Sequence, residues 1–178
     1  MNAMPKISRE QIEKDEMKIL AELQKNSNEG IDTIAKHCGF SRQKVWRTIK
    51  RLEENRLIWG YTVIVDEEKK GLKHYTLLIK RSNKPLEEKT ADIIAKRRLD
   101  DIVLKMGMTV ESSYYVHGKY DWVVTFTAQD IRQAKKFSEI ILNLHPGVIQ
   151  EIDLMQTLYF VKKYHTLNPD AKKLKDFI

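Results

Sequence analysis

Residues 31–61 read IDTIAKHCGFSRQKVWRTIKRLEENRLIWGY, and this stretch decides how the chain begins to fold. Ile31, Ile34, Ala35 and Cys38 recur at i, i+3, i+4 and i+7, the spacing of one apolar helix face. Gly39 then supplies the positive φ that a tight turn needs. Ser41 suits the N-cap of a following helix, because its hydroxyl can accept from free backbone N–H groups. On that helix Val45, Ile49 and Leu52 share one face. At about 100° per residue, Gln43, Arg47 and Lys50 point nearly opposite, flanked by Lys44 and Arg51, with Trp46 on the boundary. Residues 57–65, LIWGYTVIV, read as a strand bent at Gly60. Two helices, a tight turn and a strand, with amides and cations on the outer face of the second helix, suit insertion into a DNA major groove.

Charge supports this reading. The 178 residues carry a formal net charge of +7 and a pI near 9.3, which favours acidic partners. The distribution says more than the total. From Lys36 to Gly60, seven cations (Lys36, Arg42, Lys44, Arg47, Lys50, Arg51, Arg56) face only Glu53 and Glu54, a local +5. An isolated basic helix is as often a solvated surface, so the turn glycine, the Ser41 cap and the downstream strand are what tilt the reading to DNA.

Outward from this stretch, Ser8 opens a first helix running to about Lys25, with Ile12, Met17, Leu20 and Leu23 at roughly helical spacing. Residues 66–71, DEEKKG, are charged and turn-rich and form the expected hinge. Beyond it the pattern changes. Residues 73–80 read as a strand, and Pro85 begins a helix whose apolar positions include Ala91, Ile94, Ala95 and Ile102. Residues 112–117 and 122–128 read as a hairpin closed by the turn 118–121, with Gly118 for positive φ and Asp121 for turn hydrogen bonding. Asp130 caps a further helix with Phe137, Ile140, Ile141 and Leu144 inside, stopped by the His-Pro-Gly of residues 145–147. Residues 150–162 read as a long last strand, and residues 168–178 as a short amphipathic helix. The order is β-α-β-β-α-β, the ferredoxin-like split βαβ arrangement, so the fold class is α+β.

These strands also predict assembly. Ile152, Leu154, Leu158 and Phe160 fall on one face of the last strand, and Met155, Tyr159 and Val161 on the other; Trp122, Val124 and Phe126 alternate with Val123 and Thr125. Two helices cover one face of a four-stranded sheet, so a partly apolar second face calls for a second subunit.

In this order, both halves resemble the Lrp/AsnC, or feast/famine, transcription regulators. The resemblance rests on Asp15, Ile19-Leu20, Ile34-Ala35, Gly39, Ser41, Val45, Ile49, Leu52-Glu53, Ile58 and Gly60-Tyr61 in the first half. In the second it rests on Gly71, the turn Gly118-Lys119-Tyr120-Asp121 and the Pro-Gly-Val of residues 146–148. It covers about residues 8–163. The resemblance implies a winged helix-turn-helix DNA-binding domain (1–65), the hinge (66–71), a βαββαβ RAM-type effector-binding and dimerisation domain (72–163) and a tail (164–178). Three departures stand out. Thr48 occupies the place where the family usually has arginine, with Arg47 one place earlier. Arg56 replaces a glycine, leaving Asn55 to supply the left-handed conformation. Residues 97–110 make a longer link than usual.

The resulting expectations are specific. Residues 41–51 dock in the major groove of double-stranded DNA, with Ser41 at the helix start. Gln43 and Arg47 read base edges, because amide and guanidinium groups match adenine and guanine bidentately. Lys44, Lys50 and Arg51 meet phosphates, and Arg42, near the helix start, can do either. The resemblance further implies that small molecules, commonly amino acids, bind near the turn 118–121 at a subunit interface, with Asp121 meeting an ammonium group and His117, Gly118 and Tyr120 beside it. Homodimers, and from the family larger oligomers, are expected.

No catalytic residue, metal or cofactor is expected. His37, His74, His117, His145 and His165 are scattered without metal-ligand spacing, and no glycine-rich phosphate loop or nucleophile elbow appears. Two alternatives share the fold or the contacts: a siroheme decarboxylase-like enzyme, which has no use for an outward Arg47 and Lys50, and a DNA-architectural protein of low specificity. A single cysteine, Cys38, excludes an internal disulfide, and the first ten residues lack an apolar signal core, so a cytoplasmic location without membrane association is expected.

Overall fold

The computed structural model describes residues 8–85 and 103–177, with Glu88 and Asp92 between them. They divide into two compact units, one holding the described residues up to 64 with 161–172, the other those from 65 to 160 with 173–177. The first seven residues and the helix expected from Pro85, with Ala91, Ile94, Ala95 and Ile102, lie outside the described residues.

The first unit is built on three helices, α1 (Arg9–Lys25), α2 (Ile31–Cys38) and α3 (Arg42–Glu54), each packed on the other two. Ser8 caps α1 by accepting from the Gln11 amide at 3.2 Å, and Ser41 caps α3 by accepting from the Lys44 amide at 3.2 Å. Ile19 and Leu23 of α1, Ile34 and Ala35 of α2 and Val45 of α3 form the core, with Ile31, Cys38, Phe40, Ile49 and Ile58 against it. The inward stripe of α1 runs through Asp15, Ile19 and Leu23, spaced by four. Met17 lies well off that stripe and is exposed, against the expectation that it packs inside.

The ends of α2 and α3 show what the departure at Arg56 does. At the end of α2, Gly39 takes φ 70°, the Phe40 amide bonds to the Ala35 carbonyl and the Gly39 amide to Lys36. At the end of α3 the same bond pair recurs: Leu57 to Leu52 and Arg56 to Glu53. This is the Schellman arrangement, whose left-handed residue is usually glycine. Here it is Arg56 itself, at φ 58°, while Asn55 stays at φ −77°, so the expectation for Asn55 is corrected. A left-handed L-residue costs roughly 1–2 kcal/mol, and glycine returns part of that as extra freedom when unfolded, roughly 0.5–1 kcal/mol. Arg56→Gly is therefore expected to stabilise the chain by about 0.5 kcal/mol, read as a rise in the thermal midpoint.

Residues 57–65 form no strand in the single chain, contrary to expectation. The backbone is irregular, and Trp59, Val63 and Tyr61 stand in solvent, Trp59 at 94% exposure. A strand needs a partner ladder, and among the described residues this segment finds none. The expected hinge is a capped turn: Asp66 accepts from the Glu68 and Lys69 amides, residues Glu68–Lys70 make a 3-10 turn and Gly71 closes it.

The second unit contains β1 (Lys73–Arg81), β2 (Thr109–Tyr115), β3 (Trp122–Ala128), α4 (Ile131–Leu144) and β4 (Ile149–Gln156). The sheet order is β2-β3-β1-β4, antiparallel throughout. Tyr75, Leu77 and Ile79 of β1 and Trp122, Val124 and Phe126 of β3 alternate onto the face covered by Ala134, Phe137 and Ile141 of α4. Phe126 and Phe137 meet edge to face at 4.7 Å, and Asp130 caps α4 through the Gln133 amide at 2.8 Å.

The last strand is shorter than expected, ending at Gln156. Leu158 and Phe160 therefore leave the alternation of Ile152 and Leu154. Phe160 instead meets His74, on the opposite face from Tyr75, edge-on at 4.8 Å. Val123 and Thr127 are buried on that second face, while Tyr114 and Met155 remain half exposed. Residues Lys162–Lys163 and Thr166–Leu167 pair as a small ladder, and the expected terminal helix is a 3-10 segment, Ala171–Asp176. Among the described residues no helix is long and apolar enough to cross a membrane.

Candidate nucleic-acid interface

Helix α3 presents three faces, each with its own chemistry. Val45, Thr48 and Leu52 point inward and are buried. Thr48 is 4% exposed, so the departure from the family pattern falls in the packing face and not on the surface offered to a ligand. The flank toward α1 is held by ion pairs. Lys44 Nζ lies 2.5 Å from Asp15 Oδ2 and 3.9 Å from the centre of the Phe40 ring; Arg51 pairs with Glu16 at 2.8 Å.

Asp15 is the anchor of that flank. Its side chain is 7% exposed, and it also accepts from Gln11 Nε2 at 2.9 Å. The Lys44 hydrogen bond holds its carboxyl below the usual carboxylate range, against an opposing push from burial. At the start of α3, Arg42 pairs with Asp32 of α2 at 2.9 Å, with both side chains well exposed.

The outer face is different. Gln43 and Arg47 are exposed and have no side-chain hydrogen bond or ion pair among the described residues. Lys50 pairs with Glu53 of its own helix at 2.8 Å. That contact raises the Lys50 ammonium and lowers the Glu53 carboxyl, the latter with help from the Tyr61 hydroxyl at 3.0 Å. Burial first, and Glu53 second, push the Tyr61 hydroxyl up. Sequence reasoning had placed Lys44, Arg51 and Arg42 alike among the DNA-facing groups; it missed the carboxylates Asp15, Glu16 and Asp32 that hold them. Asp15 inside an otherwise apolar stripe of α1 was the available signal, since a buried carboxylate demands a partner.

The turn 117–121 is the second candidate. Asp121 Oδ2 accepts from the Arg81 amide at 2.8 Å, and the Asp121 amide bonds to the Ile79 carbonyl, so Asp121 ties the hairpin turn to β1. Tyr120 donates its hydroxyl to Asp153 of β4. Lys119 Nζ lies 4.9 Å from the Tyr120 ring, and side-chain hydrogen bonding with Tyr120 raises its ammonium. His117 and Gly118 are exposed. Gly118 is not among the positive-φ glycines, which corrects the conformational role expected of it.

A family model described as the AsnC-type helix-turn-helix domain matches residues 15–53, from the anchor Asp15 to Glu53. Curated relatives include the proline dehydrogenase transcriptional activator of Rhodobacter capsulatus, 28% identical over 141 residues, covering 77% of this chain and 84% of the relative. The DNA-binding transcriptional activator DecR of Escherichia coli (strain K12) is 22% identical over 138 residues, covering 77% and 86%. The chain therefore carries an AsnC-type helix-turn-helix domain and is similar over most of its length to transcription regulators. Its fold is that of solved AsnC/Lrp structures. The AsnC family transcriptional regulator from Agrobacterium tumefaciens matches with TM-score 0.63 and 20% identity over 88% of this chain and 96% of that one. A feast or famine regulatory protein from M. tuberculosis complexed with L-methionine matches with TM-score 0.67 and 18% identity over 89% and 99%.

Proposed function

We propose that this chain is a homodimeric, sequence-specific transcription regulator whose helix α3 enters the DNA major groove, with Gln43 and Arg47 reading base edges. The observation that carries the reading is the division of labour on α3. Gln43 and Arg47 are left unengaged at the outer face, while Lys44 and Arg51 are spent on α1. A bidentate donor free of competing carboxylates can turn its hydrogen bonds to a base without breaking an ion pair first. Lys50 and Arg42 are the readiest phosphate contacts, since exchanging a partly exposed Glu53 or an exposed Asp32 for a phosphate oxygen costs little. Arg51 and Lys44 are held by the more buried Glu16 and Asp15, which ranks Lys44 last.

Dimerisation follows from the sheet face that α4 does not cover, where Tyr114 and Met155 stay half exposed. Two α3 helices then address two half-sites. An amino acid is the proposed effector, bound beside residues 117–121, where Asp121 Oδ1 is the carboxylate oxygen not already accepting from Arg81. The relative complexed with L-methionine supports that ligand class. Selection of bound sites from random-sequence DNA, with and without each amino acid, tests the whole reading. A two-fold symmetric site is expected, with affinity altered by at least one amino acid. Equal affinity for selected and random DNA would mark an architectural protein instead.

A further inference from the structure

The outer face of α3 carries four residues, Gln43, Trp46, Arg47 and Lys50, at i, i+3, i+4 and i+7. That spacing makes one stripe on a helix, the counterpart of the buried stripe behind it. Three of the four are polar. The fourth, Trp46, is an indole left 53% exposed, with no ring contact and no hydrogen bond among the described residues. About half of this indole stays in solvent in the free protein, and the exposed half invites a partner with an apolar feature on an otherwise polar surface. The floor of the DNA major groove offers one: the 5-methyl group of thymine.

Resting on the DNA-regulator reading above, we propose that Trp46 is a specificity-determining residue that recognises a thymine by burying its 5-methyl group. Trp46 lies about 100° around the helix from Arg47, so it flanks the base taken by Arg47 and does not share that base. Trp46 thus fixes an apolar letter of the half-site beside a polar letter, a role that hydrogen-bond donors alone cannot supply.

The test replaces each thymine of the selected operator by uracil, which removes only the methyl group, and measures binding by wild type and by Trp46→Ala. In wild type one thymine per half-site is expected to be sensitive. Its replacement weakens binding about fourfold for each half-site, the worth of one buried methyl. Trp46→Ala is expected to bind the thymine operator more weakly and to bind the uracil operator equally well as the thymine one. Trp46 is half exposed, so urea unfolding of Trp46→Ala is read beside binding, and the uracil arm does not touch the protein at all. A selected operator whose uracil forms bind wild type unchanged overturns the Trp46 proposal alone, as does a uracil penalty that persists in Trp46→Ala. No selectable operator for wild type overturns the DNA-regulator reading, and the Trp46 role falls with it.

Discussion

Lys44→Ala is expected to destabilise the helix-turn-helix unit by about 2 kcal/mol, although a sequence reading places Lys44 among the DNA contacts. Its partner Asp15 is buried, with a side chain only 7% exposed, and the pair joins α3 to α1. Removing one member of a fully buried pair costs roughly 3–5 kcal/mol, because a charge is left unpaired inside. A fully exposed pair is worth about 0–1 kcal/mol. Lys44 is 37% exposed, so water and Gln11 soften the loss and place it between these limits. The loss of the ammonium from the Phe40 ring adds to it. Urea unfolding of Lys44→Ala beside Arg47→Ala checks this, since Arg47 has no side-chain hydrogen bond or ion pair among the described residues and its removal is expected to leave the midpoint unchanged.

The same pair sets a pH dependence. Asp15 titrates lower in the folded chain than its usual value near 3.8. Its stabilisation is then complete above the unfolded value and is lost as pH falls through the lower folded one. Below pH about 4, wild type is therefore expected to lose stability more steeply than Lys44→Ala, in which Asp15 has no ammonium to hold it ionised. Parallel acid limbs for the two proteins would contradict the assignment of Lys44 as the cause.

The second large effect concerns recognition. Arg47→Ala is expected to lower affinity for the selected operator by about 10- to 100-fold, or roughly 1–3 kcal/mol, while binding to random DNA changes little. Arg47 stands at the centre of the outer face with no internal partner, so its loss costs no folding energy and removes one bidentate donor from the groove. Lys50→Ala is the contrasting variant. It is expected to weaken all sequences alike and to reduce the slope of log affinity against log salt by about one. Competition binding at several salt concentrations separates the two. Unchanged operator preference in Arg47→Ala would remove it from base reading.

The elements of the fold were legible because their signals are local. Periodicities of 3.6 and 2, the Ser8, Ser41 and Asp130 caps and the turn at Gly39 act within a few residues, and the structure places helices and strands where they point. Errors came where an element depends on something distant. Residues 57–65 have strand composition, but a strand is defined by its neighbour, and the described residues of the chain offer none. Phe160 continues the alternation of β4 on paper, but the strand ends four residues earlier and the ring turns to His74.

The candidate site divides in the same way. Sequence alone determined that α3 is an amphipathic helix with Gln43, Arg47 and Lys50 opposite Val45 and Leu52, because the helical repeat fixes direction. It also determined that the segment is basic. Which cations are free was decided only by the tertiary structure. Asp15 and Glu16 lie twenty-nine and thirty-five residues before Lys44 and Arg51, and only helix packing brings them to 2.5 and 2.8 Å. Likewise Thr48 becomes a packing residue and Asp121 a brace for β1 through contacts no local pattern encodes. The physical reason is range. Helix phase is set by bonds within a turn, whereas the partner of a charge is set by which surfaces pack.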